Sequence, residues 1–298
     1  MTLRCARAFS VFLITLLFLV NMAEGAGPEA IRLADGVYAF IGENGSTNSG
    51  FVVTEEGVVV IDSQGPRELA LTLRSKIRAV TDKPVIYVIN THYHGDHTFG
   101  NQYFTENLIA IVSHEATREL LIERDAGHRE MFLKFFGPES LLDFKLTLPQ
   151  VTFTERLTLR AGEKTLELVS VPKAHTEGDI YVYMPEEKIL FAGDLLYKGR
   201  LPFMNDGDSL GAVKAVDELL TYGAARIVPG HGGLSDRDDA AAYKGYLTDL
   251  RAEVKRLKES GKTLEEVKGE IRLPKYSLWY MYNEWLPANA AKVYTELD

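Results

Sequence analysis

The segment 91–100, THYHGDHTFG, constrains this chain most, because it places three histidines and one aspartate within six residues: His92, His94, Asp96 and His97. Residues 85–90 before it (VIYVIN) are apolar and β-branched, which predicts a buried strand ending just before the cluster. Side chains two apart in an extended loop point the same way. We therefore expect His92 and His94 to bind one metal ion while Asp96 and His97 turn toward a second.

Three further candidate ligands follow apolar segments elsewhere in the chain: LVSVP precedes His175, KILFAG precedes Asp194, and ARIVPG precedes His231. Ligand sites in α/β sheets gather at the carboxyl ends of strands, so we expect these residues to meet the first cluster at one sheet edge. Seven ligands exceed the four that one tetrahedral zinc accepts. The predicted division is His92, His94 and His175 on one ion, Asp96, His97 and His231 on the other, and Asp194 as a bridge.

Apolar periodicity predicts two sheets covered by helices, which is an α/β architecture. Alternating short runs over 36–62 predict an antiparallel meander. Strands are expected at 85–90, 108–112, 157–160, 166–171, 180–184, 188–192 and 225–228. Helices are expected at 66–80, at 114–136 with Ser113 as its cap, at 208–222 and at 236–260.

The first 25 residues predict a secretory signal peptide. Arg4 and Arg7 precede an apolar run over 9–20, and Ala23, Glu24 and Gly25 form a small-residue cleavage site. We therefore expect a periplasmic or secreted protein in which 26–298 form one domain, with the helices of 236–298 packed on it. The single cysteine, Cys5, lies in the predicted leader, which excludes disulfides and cysteine ligands from the mature chain.

Charge and hydropathy limit the partners. The formal net charge is -9, and no clustered basic segment is present, which argues against nucleic acid. No segment beyond the leader reaches membrane-span length, so no stable membrane insertion is expected after signal cleavage. The expected partner is a small-molecule substrate.

The HxHxDH motif, followed by His175, Asp194 and His231, resembles the metallo-β-lactamase superfamily over about 31–235. The resemblance implies a four-layer αβ/βα sandwich, two zinc ions and a hydrolytic reaction. The stretch AHTEGDIYVYMPEEKILFAG is similar to class B β-lactamases, although Asp194 stands where one subclass of those enzymes has a cysteine. The segments GRLPFMNDGDS and VPGHG look most like the periplasmic quinoprotein-relay zinc metallohydrolases.

The expected reaction is attack by a zinc-bound hydroxide on the carbonyl of an ester, thioester or amide. Asp96 is the candidate catalytic residue, which would orient the hydroxide and pass on its proton. A class B β-lactamase is one alternative. A non-haem iron oxygenase is another, because His and carboxylate ligands also suit Fe or Mn. A metal-binding protein without catalysis is the remaining possibility.

Residues outside the motif have alternative roles. Asp62 ends a strand and is expected either to support a metal-binding histidine or to cap a turn. Thr176 and Asp179 are expected to order the His175 loop. Surface or packing roles are favoured over substrate contact for three residues: Tyr93, Tyr197 and Arg200.

Two histidines and the C-terminal aromatic segment are predicted to be structural. His114 and His128 lack a ligand-rich sequence neighbourhood, which favours surface or capping roles. The aromatic residues of 276–294 favour core packing of a terminal helix over a dimer contact or a pocket wall.

Overall fold

The computed structural model describes residues 28–105 and 109–297. The predicted signal peptide lies outside the described residues, and so does Leu108 at the start of one predicted strand. Within the described ranges, no helix combines the length and apolarity needed to cross a membrane.

The first sheet has seven strands in sequence order. The first four pair antiparallel and the last four pair parallel, so β4 belongs to both sets. The strands are β1 (Glu29–Ala34), β2 (Val37–Ile41), β3 (Ser49–Val53), β4 (Val58–Ile61), β5 (Val85–Ile89), β6 (Ala110–His114) and β7 (Val151–Phe153).

The second sheet has five strands in the order β12, β11, β10, β9, β8. Only the β11 and β12 pair is parallel. The strands are β8 (Arg156–Ala161), β9 (Lys164–Ser170), β10 (Ile180–Met184), β11 (Ile189–Tyr197) and β12 (Arg226–His231).

Helices cover the outer faces of both sheets. The α-helices are α1 (Arg67–Val80), α2 (Gly95–Thr98), α3 (Glu115–Phe136), α4 (Ser209–Thr221), α5 (Arg237–Glu259), α6 (Leu264–Glu270) and α7 (Tyr282–Glu296). Short 3₁₀ helices lie at Glu43–Gly45, Phe99–Phe104, Pro138–Leu141 and Pro274–Tyr276.

Strand alternation creates the layers. In β4, Val58 and Val60 pack outward against α1, whereas Val59 and Ile61 pack inward between the sheets. On the other side, β11 and the helices α4, α5 and α7 share one large core. These three cores fill the three spaces of a four-layer αβ/βα sandwich, so the predicted fold class is confirmed.

The two sheets approach each other closely near the site. A Cβ on Gly50 in β3 would lie 2.2 Å from Cε1 of Phe191 in β11. Any larger side chain at residue 50 would therefore push the sheets apart where β4, β5, β11 and β12 converge.

The structure corrects several sequence predictions. His114, and not Ser113, caps α3, because its Nδ1 accepts a hydrogen bond from the backbone N–H of Ala116. The loop after β5 is only partly extended, since α2 begins at Gly95. Strands β1 and β7 were not predicted, because both lie at sheet edges where burial leaves little periodicity.

Candidate metal centre

All seven predicted ligands lie together at the mouth between the two sheets. His92, His94, Asp96 and His97 follow β5, and the last two lie on α2. The second sheet supplies His175 from the loop after β9, Asp194 from within β11 and His231 from the end of β12. The site therefore joins both sheets, and the prediction of a single sheet edge was wrong. We call these seven residues the His/Asp cluster.

One group within the His/Asp cluster contains His92, His94, His175 and Asp194, whose ligand-type atoms all lie within 4.8 Å of one another. Nε2 of His175 lies 2.8 Å from Nδ1 of His94 and 3.2 Å from Oδ2 of Asp194. Nε2 of His92 lies 3.8 Å from the same carboxylate oxygen. The first half of the predicted ligand division therefore lies around one point.

The second group contains Asp96, His97 and His231, again within 4.8 Å of one another. Oδ2 of Asp96 lies 3.5 Å from Nε2 of His97 and 3.4 Å from Nε2 of His231. Asp194 reaches this group as well, since its Oδ1 lies 3.1 Å from Nε2 of His97. Its two oxygens thus face both groups, which is the position expected of a bridge.

Hydrogen bonds on the outer side of the rings set the proton positions of two histidines. Asp62 Oδ2 lies 2.8 Å from Nδ1 of His97, and because a carboxylate only accepts, that nitrogen carries the proton. The Thr91 hydroxyl donates to the same oxygen at 2.8 Å, which leaves its own oxygen to accept from Nδ1 of His92 at 3.1 Å. In both rings Nδ1 therefore carries a proton, and Nε2 faces the cluster.

Hydrogen bonds also orient the rings of His231 and His94. Nδ1 of His231 lies 2.9 Å from the backbone oxygen of Gly45, which can only accept, so Nδ1 carries a proton and Nε2 faces the cluster. His94 is reversed: its Nε2 donates to Oδ2 of Asp206 at 3.1 Å, and its Nδ1 faces the cluster. Sequence reasoning found Asp62 but gave no role to Asp206, which lies in the loop after β11 within the segment GRLPFMNDGDS.

Three buried atoms of the cluster that have no hydrogen-bond partner are suited to bind a cation. Nε2 of His92, Nε2 of His97 and Oδ1 of Asp194 are buried and have no hydrogen-bond partner. Buried acceptors left unpaired cost free energy, about 1–3 kcal/mol each. Imidazole nitrogens with carboxylate oxygens are the donor set that zinc and other first-row metals prefer.

The buried carboxylates of the His/Asp cluster also attract positive charge. Burial lowers the pKa of His97, but Asp194, Asp96 and Asp62 outweigh it and hold that pKa well above its usual value. Burial raises the pKa of Asp194, but the histidines around it, His231 first, hold it well below its usual range. The carboxylates thus stay ionised and attract either protons or metal ions.

Tyr197 and Gly230 both constrain the position of the Asp194 carboxylate. The Tyr197 hydroxyl donates to its Oδ2 at 2.5 Å, and burial raises the pKa of Tyr197, which keeps that proton in place. The Tyr197 ring also stacks on His231 at 5.2 Å. A Cβ on Gly230 would lie 1.9 Å from Oδ1 of Asp194, so only glycine leaves room for this carboxylate. Tyr197 is a packing residue, as predicted, and it also orients the carboxylate.

The His175 loop is ordered as predicted. Oδ2 of Asp179 accepts hydrogen bonds from the backbone N–H groups of His175 at 2.7 Å and Thr176 at 2.9 Å. The Thr176 hydroxyl donates to Oδ1 of the same carboxylate. This turn fixes the backbone from which His175 enters the cluster.

His128 lies in a different place from the one predicted. It approaches His94 and Asp206 to within 4.8 Å through its ligand-type atom, and its ring stacks on Tyr93 at 4.9 Å. Burial lowers the pKa of His128 to about 4, so the ring is neutral. The prediction of an isolated surface histidine was wrong, because α3 crosses directly over the cluster; His114, by contrast, is a helix cap as expected.

A cavity of about 380 Å³ opens onto the His/Asp cluster. Asp96, Asp194, His94 and His231 form part of its lining, and so does Arg200. Thr47 is also at its edge, where its hydroxyl donates to Oδ2 of Asp96 at 2.6 Å. Arg200 therefore faces the cavity rather than serving only in packing.

The C-terminal aromatic segment serves two of the predicted roles. Tyr276 and Leu286 are buried in the core beneath α5, as expected for a packed terminal helix. Tyr280, Met281 and Trp285 line the cavity, so the same segment is also a pocket wall.

This chain is similar in sequence and in structure to several known proteins. The model of the family described as "Metallo-beta-lactamase superfamily" matches residues 42–231. A metallo-beta-lactamase type 2 of Elizabethkingia meningoseptica is 26% identical over 174 residues, which are 56% of this chain and 62% of that protein. An acyl-coenzyme A thioesterase of Bos taurus is 27% identical over 199 residues, which are 60% of this chain and 70% of that protein.

The chain spans less than two thirds of the length of two curated relatives that it matches, 64% and 62%. Among solved structures, a metallo-beta-lactamase from Pontibacter korlensis superimposes with a TM-score of 0.63 at 24% identity. That match covers 74% of this chain and 99% of the other. Such a likeness supports the fold, and the names of the relatives include enzymes that hydrolyse lactams and thioesters.

Proposed function

The chain belongs to the metallo-β-lactamase superfamily, and we propose that it is a binuclear zinc hydrolase that cleaves a carboxylic ester or thioester. One observation carries the proposal: three buried acceptors without donors, on His92, His97 and Asp194, converge beside a cavity large enough for an organic substrate. The predicted signal peptide supports a periplasmic or secreted location for this activity.

The two groups of the His/Asp cluster would hold the two ions. His92, His94 and His175 would form one site, Asp96, His97 and His231 the other, and Asp194 would contribute to both. Zinc supplies Lewis acidity and lowers the pKa of a coordinated water to about 7.

Asp96 has the position of a proton acceptor. Burial raises the pKa of its carboxyl, but His97 and His231 hold that pKa well below its usual range, so the group is ionised. Thr47 fixes one carboxylate oxygen by its hydrogen bond, and Asp96 itself lines the cavity. Asp96 would orient the attacking water and accept its proton.

An ester or thioester is favoured over other carbonyl compounds by two observations. The cavity is lined largely by apolar side chains, which suit an acyl group. One relative is named an acyl-coenzyme A thioesterase. A β-lactamase is the second candidate, because another relative is named a metallo-beta-lactamase.

The test measures metal content and hydrolysis on the same preparation. Purified full-length protein is analysed by mass spectrometry for bound metals and assayed with a p-nitrophenyl ester, an acyl thioester and a chromogenic cephalosporin. We expect two zinc ions per chain, ester or thioester turnover that is lost on chelation, and recovery when Zn²⁺ is restored.

Other results would overturn the proposal. Full activity after metal removal would exclude metal-dependent hydrolysis. Preference for the cephalosporin would select the β-lactamase. A single iron with oxygen consumption and no hydrolysis would select an oxygenase.

A further inference from the structure

One wall of the cavity is built by the last two turns of α3. Met131, Phe132, Phe135 and Phe136 all line it. Phe132 is buried, whereas Phe135 and Phe136 are 70% and 54% exposed. Two exposed phenylalanines that border the same cavity form an apolar surface that becomes buried only when something enters the cavity.

The opposite wall comes from the loop after β11 and from the C-terminal segment. Phe203, Tyr280, Met281 and Trp285 line this side. The backbone of Tyr280 is held to the loop, since its N–H donates to Gly199 and its carbonyl accepts from Leu201. Tyr280, Met281 and Trp285 lie beyond residues 42–231, which the family model matches. Most of this wall therefore lies outside the part of the chain that the family model matches.

Phe203 connects the C-terminal wall to the reaction centre. Its ring contacts Trp285 edge to face, with centroids 5.8 Å apart, and contacts His94 in the same way at 5.7 Å. The apolar surface thus begins at the His/Asp cluster itself and continues outward without a polar gap on this side. A group attached to a carbonyl at the cluster would lie along it.

Outside the His/Asp cluster, Arg200 is the charged residue in the cavity lining. Its guanidinium lies 4.9 Å from the Trp285 ring and 5.4 Å from the Tyr280 ring, and it donates to the backbone oxygen of Gly45. These contacts hold the cation against the aromatic wall.

On the basis of the hydrolase function proposed above, we propose that this cleft between α3 and the C-terminal segment binds a medium-length acyl chain of the substrate. Each methylene moved from water into the cleft contributes about 0.8 kcal/mol, which corresponds to roughly a fourfold gain in binding. The specificity constant kcat/KM should therefore rise with acyl chain length until the cleft is full.

The test uses the metal-loaded protein and p-nitrophenyl acetate, butyrate, hexanoate and octanoate. We expect kcat/KM to rise two- to fourfold per methylene. The double variant Phe135→Ser, Phe136→Ser should lower the octanoate-to-acetate ratio at least fivefold. Leu133→Ser is the matched control, because Leu133 lies on the same helix, is 45% exposed and does not line the cavity.

The outcomes separate this inference from the proposed function. A flat chain-length series with metal-dependent hydrolysis, or equal ratios in the double variant and the control, overturns the acyl cleft alone. If no ester is hydrolysed, the proposed function fails. Calorimetric titration of the same protein with 1-octanol and 1-butanol then tests whether the cleft binds an alkyl chain. Tighter binding of 1-octanol that weakens in the double variant supports it, and equal or absent binding overturns it.

Discussion

The His/Asp cluster and the cleft above it are built on opposite principles. In the cluster, the rings of His92, His94, His97 and His231 are each oriented by a hydrogen bond on the ring nitrogen that faces away from the cluster. In the cleft, the side chains of Phe135 and Tyr280 are more than half exposed and make no hydrogen bond that orients them. Directional hydrogen bonds thus position the candidate metal ligands, whereas nondirectional apolar contacts form the binding surface.

This difference sets the expected size of mutational effects. Removing one polar partner in the cluster leaves another buried group unpaired, so the loss spreads beyond the altered residue. Removing an apolar side chain from the cleft wall loses contact area and little else. We expect changes of orders of magnitude in the cluster and of a few fold in the wall.

The largest effect is expected at Asp96. The substitution Asp96→Asn removes the negative charge that accepts a proton, while it keeps the shape and one oxygen for Thr47. Turnover, kcat, should fall about 10²–10⁴-fold, with a much smaller change in KM. Steady-state kinetics, with metal content measured on the same sample, check this.

Metal analysis makes the Asp96 result unambiguous. If Asp96→Asn keeps both metal ions and unchanged kcat, Asp96 has no role in proton transfer. If the variant loses metal, the assay is repeated in excess Zn²⁺ and the same comparison of kcat applies.

An intermediate effect is expected at Asp62, which is 2% exposed and contacts no part of the cavity. Asp62→Ala leaves the proton of His97 Nδ1 and both donors of Thr91 without their acceptor. Metal affinity should fall about 10–100-fold, and the free energy of unfolding should fall by about 1–3 kcal/mol. Competition with a chromophoric chelator and thermal unfolding measure the two quantities.

The control for Asp62 is Asp35→Ala, because Asp35 forms an exposed ion pair with Arg32 on the surface. This variant should retain its metal affinity. Equal metal affinity in Asp62→Ala and the control would show that the outer hydrogen bonds do not support the cluster.

The smallest effect is expected in the wall, at Tyr280. Tyr280→Ala removes a half-exposed ring together with its contact to the Arg200 guanidinium. KM for an apolar ester should rise about two- to fivefold, because the substrate loses apolar contact with this ring that contributes about 0.5–1 kcal/mol. A drop in kcat of more than tenfold would contradict the division between cluster and wall.

The fold class and the His/Asp cluster could be predicted because their signals are local. The motif over 91–97 puts four candidate ligands in a short segment, and the apolar runs before His175, Asp194 and His231 identify the strands β9, β11 and β12 that position them. The resemblance to the metallo-β-lactamase superfamily was confirmed by the match over 42–231.

Residues that act through long-range contacts could not be predicted in the same way. Asp206 meets His94 across 112 positions of sequence, and His128 stacks on Tyr93 because α3 crosses the cluster. Arg200 and Trp285 meet only because the C-terminal segment folds back over the loop after β11. No periodicity or motif marks such pairs.

The sequence by itself determined the identity of the candidate ligands, the continuous apolar runs that place β4 and β11 between two apolar layers, and the family. The tertiary structure alone decided which nitrogen of each histidine faces the cluster, that Asp194 reaches both groups, and that aromatic side chains enclose the cavity. The physical reason is that burial leaves a periodic trace in the chain, whereas the direction of a hydrogen bond depends on partners that only folding brings near.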